Sequence, residues 1–84
     1  MNLETFNSIK VGDKVVVIKS GKTYCANFII PAADAPKRGY ITWAANHPGR
    51  NFIHFQQIRA NSKGVVGPYG PAFVDLKPES IALP

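Results

Sequence analysis

Catalysis needs groups that attack, move protons or hold a metal, and few such groups are spaced for it in this chain. Cys25 is the only cysteine, and His47 and His54 are the only histidines. Cys25 lies inside a strand-like run with no motif around it, so a thiolate–imidazole nucleophile has no local support. One Cys and two separated His give none of the short repeats that hold zinc. The carboxylates Glu4, Asp13, Asp34, Asp75 and Glu79 are scattered, and none forms a close pair for general acid and base. Neither glycine-rich phosphate loop is present. The chain therefore reads as non-enzymatic, with no cofactor and no metal. Each histidine reads as structural, although a turn position would place His47 near a bound phosphate.

Positive charge is what the chain does offer. Ten Lys and Arg stand against five Asp and Glu, a net charge of +5. Most cations fall at strand ends and turns. Lys19 and Lys22 flank a Ser-Gly turn, Lys37 and Arg38 close a loop, Arg50 and Lys63 sit in or beside later turns, and Arg59 ends a strand. If these loops converge on one rim, the rim can neutralise phosphates and release counterions, which makes affinity salt-dependent. The bland alternative is that strand-end lysines guard edges and keep the chain soluble.

Aromatic residues would add stacking. Tyr40 and Tyr69 each lie at a loop boundary and are the best exposed candidates. Alternation sets Phe52, His54, Gln56 and Ile58 against Ile53, Phe55, Gln57 and Arg59. The second set reads either as an outward surface on which Phe55 is a platform beside Arg59 or, in the reverse register, as the core side. Trp43 reads as core. Gly67-Pro68-Tyr69-Gly70-Pro71 reads as a rigid loop with an aromatic tip, or as a plain bend between strands.

The elements that must position these groups are short. Seven Gly and seven Pro are spread along the chain and divide it into strand-length pieces. Residues 3–9 read as one helical turn, with Leu3, Phe6 and Ile9 on one face. Residues 14–19 and 22–30 read as a hairpin, with Tyr24, Ala26, Phe28 and Ile30 on one side. Pro31 ends the second strand, and 31–38 is a long loop. Residues 39–44 read as a third strand, 46–50 as a turn with Pro48-Gly49 at its centre, and 51–59 as a fourth strand. Residues 61–64 form a turn, Val65-Val66 opens a short strand, and 72–76 is the last clear strand. Residues 77–80 read as a 3₁₀ turn before Ile81-Ala82-Leu83 closes the sheet edge. Five short antiparallel strands in one domain spanning 1–84 bury enough apolar surface only by curling into a small barrel.

Ile9-Lys10-Val11-Gly12-Asp13-Lys14-Val15-Val16-Val17 and Phe73-Val74-Asp75-Leu76-Lys77-Pro78-Glu79-Ser80-Ile81 together resemble the opening and closing segments of an SH3-like barrel, as in KOW and Tudor modules. The resemblance covers about half the chain and implies an all-β, five-stranded antiparallel barrel. The 31–38 loop and the Gly-Pro-Tyr-Gly-Pro segment depart from it.

At 45% apolar and 18% charged, the composition excludes a disordered basic tail. No apolar run approaches the ~20 residues of a membrane span. The lone cysteine fits a reducing cytosol, and no secretory signal opens the chain, so a cytoplasmic location is expected. The expected partner is DNA or RNA, bound with weak sequence specificity through Lys19, Lys22, Lys37, Arg38, Arg50, Arg59 and Lys63, with Tyr40, Phe55 and Tyr69 stacking. The alternative partner is an acidic surface of a larger protein. A homodimer through an exposed Phe28-Ile29-Ile30 edge is a third reading.

Overall fold

Val15, Val16 and Val17 follow the Gly12-Asp13 turn as a β-branched run, which suits a pleated, half-buried surface. The computed structural model, which describes all 84 residues, places the first strand there. In chain order the elements are α1 (Leu3–Asn7), β1 (Lys14–Val17), β2 (Thr23–Ile30), a 3₁₀ turn (Pro36–Arg38) and α2 (Ile41–Asn46). They continue with β3 (Phe52–Ala60), β4 (Val66–Pro68), a second 3₁₀ turn (Pro78–Ser80) and β5 (Ile81–Ala82). All pairings are antiparallel, in the order β4-β3-β2-β1-β5. The chain is thus mainly β, as its turn spacing implies. The sheet is not closed, so the expected barrel is an open sheet of five strands here.

The hairpin forms where the sequence puts it, with Val15 opposite Tyr24. Its facing pattern does not hold along all of β2. The register slips between Ala26, opposite Phe55, and Phe28, opposite His54, so Asn27 is an extra residue. A bulge of this kind shifts every later side chain by one face. Ala26 and Ile29 therefore point to one side, and Phe28 and Ile30 to the other.

That inner side carries the main core: Phe6, Ile9, Val15, Ala26, Ile53, Phe55 and Ile81. α1 covers it, capped by Asn2, whose side chain accepts from Thr5 N–H at 2.8 Å. Residues 66–82 close it from the other direction. After β4 the chain continues along the free edge of β3, where Val74 bridges Phe55, and then crosses to pair β5 with β1.

The opposite side carries a smaller cluster of Ile30, Ala35 and Phe52, on which Tyr40, Trp43 and Ala44 pack. These come from the 31–50 excursion, and here the expected third strand at 39–44 is replaced by α2. Gly39, at φ 93°, ends the 3₁₀ turn in a left-handed conformation open mainly to glycine. Tyr40, Trp43, Ala44 and His47 then follow at i, i+3, i+4 and i+7, the spacing of one helical face. Tyr40 stacks on Phe52 with centroids 4.3 Å apart, and Trp43 meets the same ring edge-on at 4.9 Å. Packing against Phe52 overrides the strand propensity of these residues. In the segment expected to pair between copies, Ile30 is buried and Ile29 packs on the main core, while Phe28 is exposed.

The expected strand at 72–76 is reduced to the single Val74 bridge. One cause is Arg50, whose Nη2 takes the Leu76 carbonyl at 2.9 Å, removing it from any ladder.

Candidate nucleic-acid interface

Antiparallel pairing decides which cations meet. Thr23 at the start of β2 stands opposite Ile58 near the end of β3. The β1–β2 turn and the β3–β4 turn therefore lie at the same end of the sheet. Lys19 and Lys22 enter from the first turn, Lys63 from the second, and Arg59 from the last residues of β3, and all are exposed. Both turns are fixed by their own hydrogen bonds. Gly21 N–H donates to the Val17 carbonyl at 2.8 Å, and the Asn61 side-chain oxygen accepts from Lys63 N–H at 2.9 Å and Val65 N–H at 3.0 Å.

Tyr69 belongs to this end as well. It does not project as a loop tip. Its ring lies against Gly67, where an added Cβ would sit 3.4 Å from it, and its hydroxyl accepts from Asn61 Nδ2 at 3.2 Å. Half its surface work is thus structural, and the Gly-Pro-Tyr-Gly-Pro segment is largely strand β4 and its continuation.

No strand of the sheet contains a carboxylate, and neither do the two turns at this end. The acids sit elsewhere: Glu4 on α1, Asp13 before β1, Asp34 in the excursion, Asp75 after the Val74 bridge and Glu79 in the second 3₁₀ turn. The strands and both turns therefore carry positive charge only, with Glu79 the neighbouring acid, since the Ser80 carbonyl accepts from Ile18 N–H at 3.0 Å beside Lys19.

The other expected contacts do not join this end. Lys37 and Arg38 are exposed, but they follow the far end of β2, whose eight residues span about 26 Å. Tyr40 is with them, stacked on Phe52. The expected basic contacts thus do not form one rim.

Two expected contacts are inside the protein. Phe55 is fully buried in the main core, so it offers no platform; of its two readings, the reverse register holds. Arg50 is buried too, with its side chain 7% exposed, and its Nη2 contacts Asp75 at 2.7 Å. Its guanidinium carbon lies 5.1 Å from the Phe6 centroid and 5.5 Å from the Trp43 centroid, so it joins the main core to the smaller cluster. Its Nη1 lies 3.3 Å from His47 Nδ1, and a guanidinium can only donate in such a contact. The Pro48-Gly49 turn sets this up. Arg50 N–H donates to the His47 carbonyl, and Gly49 takes φ 74°, as the third residue of a type II turn requires. An Asn7–Asn51 pair on either side fixes the turn to α1, with Asn51 N–H donating to Asn7 Oδ1 at 2.8 Å and Asn7 Nδ2 to the Gly49 carbonyl at 2.7 Å. No sequence signal marks Arg50 as buried, because its partner Asp75 is remote in the chain.

A cleft of about 330 Å³ beside Arg50 is lined by Leu3, His47, Pro48, Lys77, Pro78 and Glu79. Of its charged residues, Arg50 is paired with Asp75. No group of three or more metal-binding side chains exists, and no helix is long and apolar enough to cross a membrane.

Residue alternation also exposes a surface that sequence reasoning passed over. The outward side of β3 carries His54 and Gln56, and Phe28 of β2 lies across from His54 with ring centroids 5.6 Å apart. The bulge at Asn27 creates this pair, and a bulge is not visible in the hydropathy pattern.

Comparison of the chain with protein-family models, with curated proteins and with solved structures returns no match. The site therefore rests on its own geometry.

Proposed function

We propose that this protein binds nucleic acid without catalysing a reaction, using Lys19, Lys22, Arg59 and Lys63 as phosphate contacts and Tyr69 as a neighbouring aromatic. The observation that carries the reading is the gathering of these four cations at one sheet end whose strands and turns hold no carboxylate. Such a field attracts polyanions, and each phosphate neutralised releases counterions. Specificity for sequence is weak in this reading, because no recognition helix projects from the sheet; α1 and α2 have five and six residues and are packed on it. Lys37 and Arg38 then serve as a secondary contact at the far end.

The crossing of residues 74–82 from the β3 edge to β1 supports reading the open sheet as a partly open SH3-like barrel. A cytoplasmic site of action agrees with the single reduced thiol, Cys25.

Fluorescence anisotropy with labelled DNA and RNA across a salt series tests the proposal. Binding should weaken linearly in log salt, with a slope near −0.7 per phosphate contact on single strands. Replacing Lys19, Lys22, Arg59 and Lys63 by Ser should flatten that slope. Absence of binding to every nucleic acid at low salt would overturn it and favour an acidic protein surface as partner.

A further inference from the structure

The open side of the sheet has a composition that neither folding nor phosphate contact explains. Beyond the edge of the smaller cluster, two strands and the segment bridged to β3 carry aromatic rings. Phe28 on β2 is 39% exposed, and His54 on β3 lies beside it at 5.6 Å and 36°. Phe73, next to the Val74 bridge, is 69% exposed, and since Val74 packs on the main core, alternation turns Phe73 to the open side. The rings are separated by polar groups rather than by aliphatic ones. Gln56 donates to the Gly70 carbonyl at 2.9 Å and accepts from Asn27 Nδ2 at 3.4 Å, while Asn27 Oδ1 is covered and has no partner.

The interfaces of homodimers are on average about 65% apolar. This surface alternates flat rings with amide groups, on strands without a carboxylate, and runs along β2 and β3 to Thr23 and Ile58, next in the chain to Lys22 and Arg59. From the Phe28–His54 pair to the Thr23–Ile58 pair is about five residues, or ~16 Å. Asp75 lies near this side but is neutralised by Arg50. Nucleobases offer the matching chemistry: flat faces to stack on rings, joined by a phosphate chain running toward the cations.

The geometry points to Phe28, His54 and Phe73 as a base-stacking platform, making the ligand a single strand rather than a duplex. This rests on the nucleic-acid reading above and deepens it. Duplex bases are already stacked and cannot use the rings, so the platform sets a preference between the two forms.

The test compares an oligothymidylate of about 12 nucleotides with a duplex of the same length, by anisotropy at fixed salt. The intact protein should favour the single strand. Phe28→Ala and Phe28→Leu should each lower the ratio of single-strand to duplex affinity about ten-fold, while Phe28→Tyr, which keeps a ring, should retain it. Thermal melts verify that each variant is folded, and Phe73→Ala provides a second variant at an exposed position. An unchanged ratio in both alanine variants, with binding intact, overturns the platform and leaves the phosphate contacts standing. Failure of the intact protein to bind either probe overturns the underlying reading instead. Light scattering that shows a dimer dissociated by Phe28→Ala would reassign the surface to self-association.

Discussion

The two sides of the sheet are built from the same strands and end in opposite ways. On one side Phe6, Val15, Phe55 and Ile81 are fully buried, and α1 and the 74–82 crossing cover them. On the other side Phe52 is covered by α2, His54 next to it is half-covered, and Phe28 beyond that is 39% exposed. The first side is finished by the chain itself. The second is finished only at the excursion and then opens, with aromatic residues continuing past the point where folding requires them. Burial of apolar area stabilises the first; the second leaves part of its aromatic area to solvent, where it contributes little to stability and is free for recognition.

The largest expected difference between the sides is in stability. Phe55→Ala should cost about 3–5 kcal/mol, a large share of the stability of any small domain, whereas Phe28→Ala should cost about 1–1.5 kcal/mol. Urea titration of the two variants measures this, and equal costs would break the distinction. Asp75→Ala comes next. It removes a charged hydrogen bond from buried Arg50 but opens a half-exposed position, so about 1.5–3 kcal/mol is expected. If Asp75→Ala is neutral, Arg50 is not the joint between the two clusters. Trp43→Ala should cost about 1–3 kcal/mol, because it loses two aromatic contacts, with Phe52 and His47, in a cluster that is only partly enclosed. Amide exchange should then rise in 40–47 while β1 and the central part of β3 stay protected. The smallest effect is expected in binding: replacing Lys37 and Arg38 by Ser should weaken nucleic-acid affinity less than replacing Lys19 and Lys22, since the former stand alone at the far end.

The sequence made one side of this contrast legible and concealed the other. The β-branched run at 15–17, the Ser20-Gly21 turn and the alternation in 52–59 announce the hairpin and β3, because local propensity and tertiary packing agree there. The turn at 61–64 and the 3₁₀ turn after Lys77 were readable from their Gly and Pro chemistry. Residues 39–44 misled because aromatic and β-branched residues suit a strand, and only the surface offered by Phe52 makes the 40, 43, 44, 47 spacing the deciding one. Phe55 and His54 could not be assigned to their faces from alternation alone, since period two fixes which residues share a side but not which side is inside. The bulge at Asn27 then moved Phe28 outward, so the platform pair was hidden for the same reason. Arg50 was counted among the loop cations because a buried arginine is recognised only by its partners, and these are Asp75, Leu76 and two rings brought in by the fold. Of the gathered cations, Lys19, Lys22 and Lys63 were legible as turn residues; that two turns share an end follows only from the register.

The claim that one side folds the protein and the other binds is tested most directly by an amide NMR titration with a short single-stranded oligonucleotide. The account predicts shifts that follow the open side and the hairpin end, at Phe28, His54, Gln56 and Phe73 and at Lys19, Lys22, Arg59 and Lys63, with Phe6, Val15 and Ile81 undisturbed. Shifts confined to the cleft around Leu3, His47 and Lys77, or to Lys37 and Arg38, would contradict it.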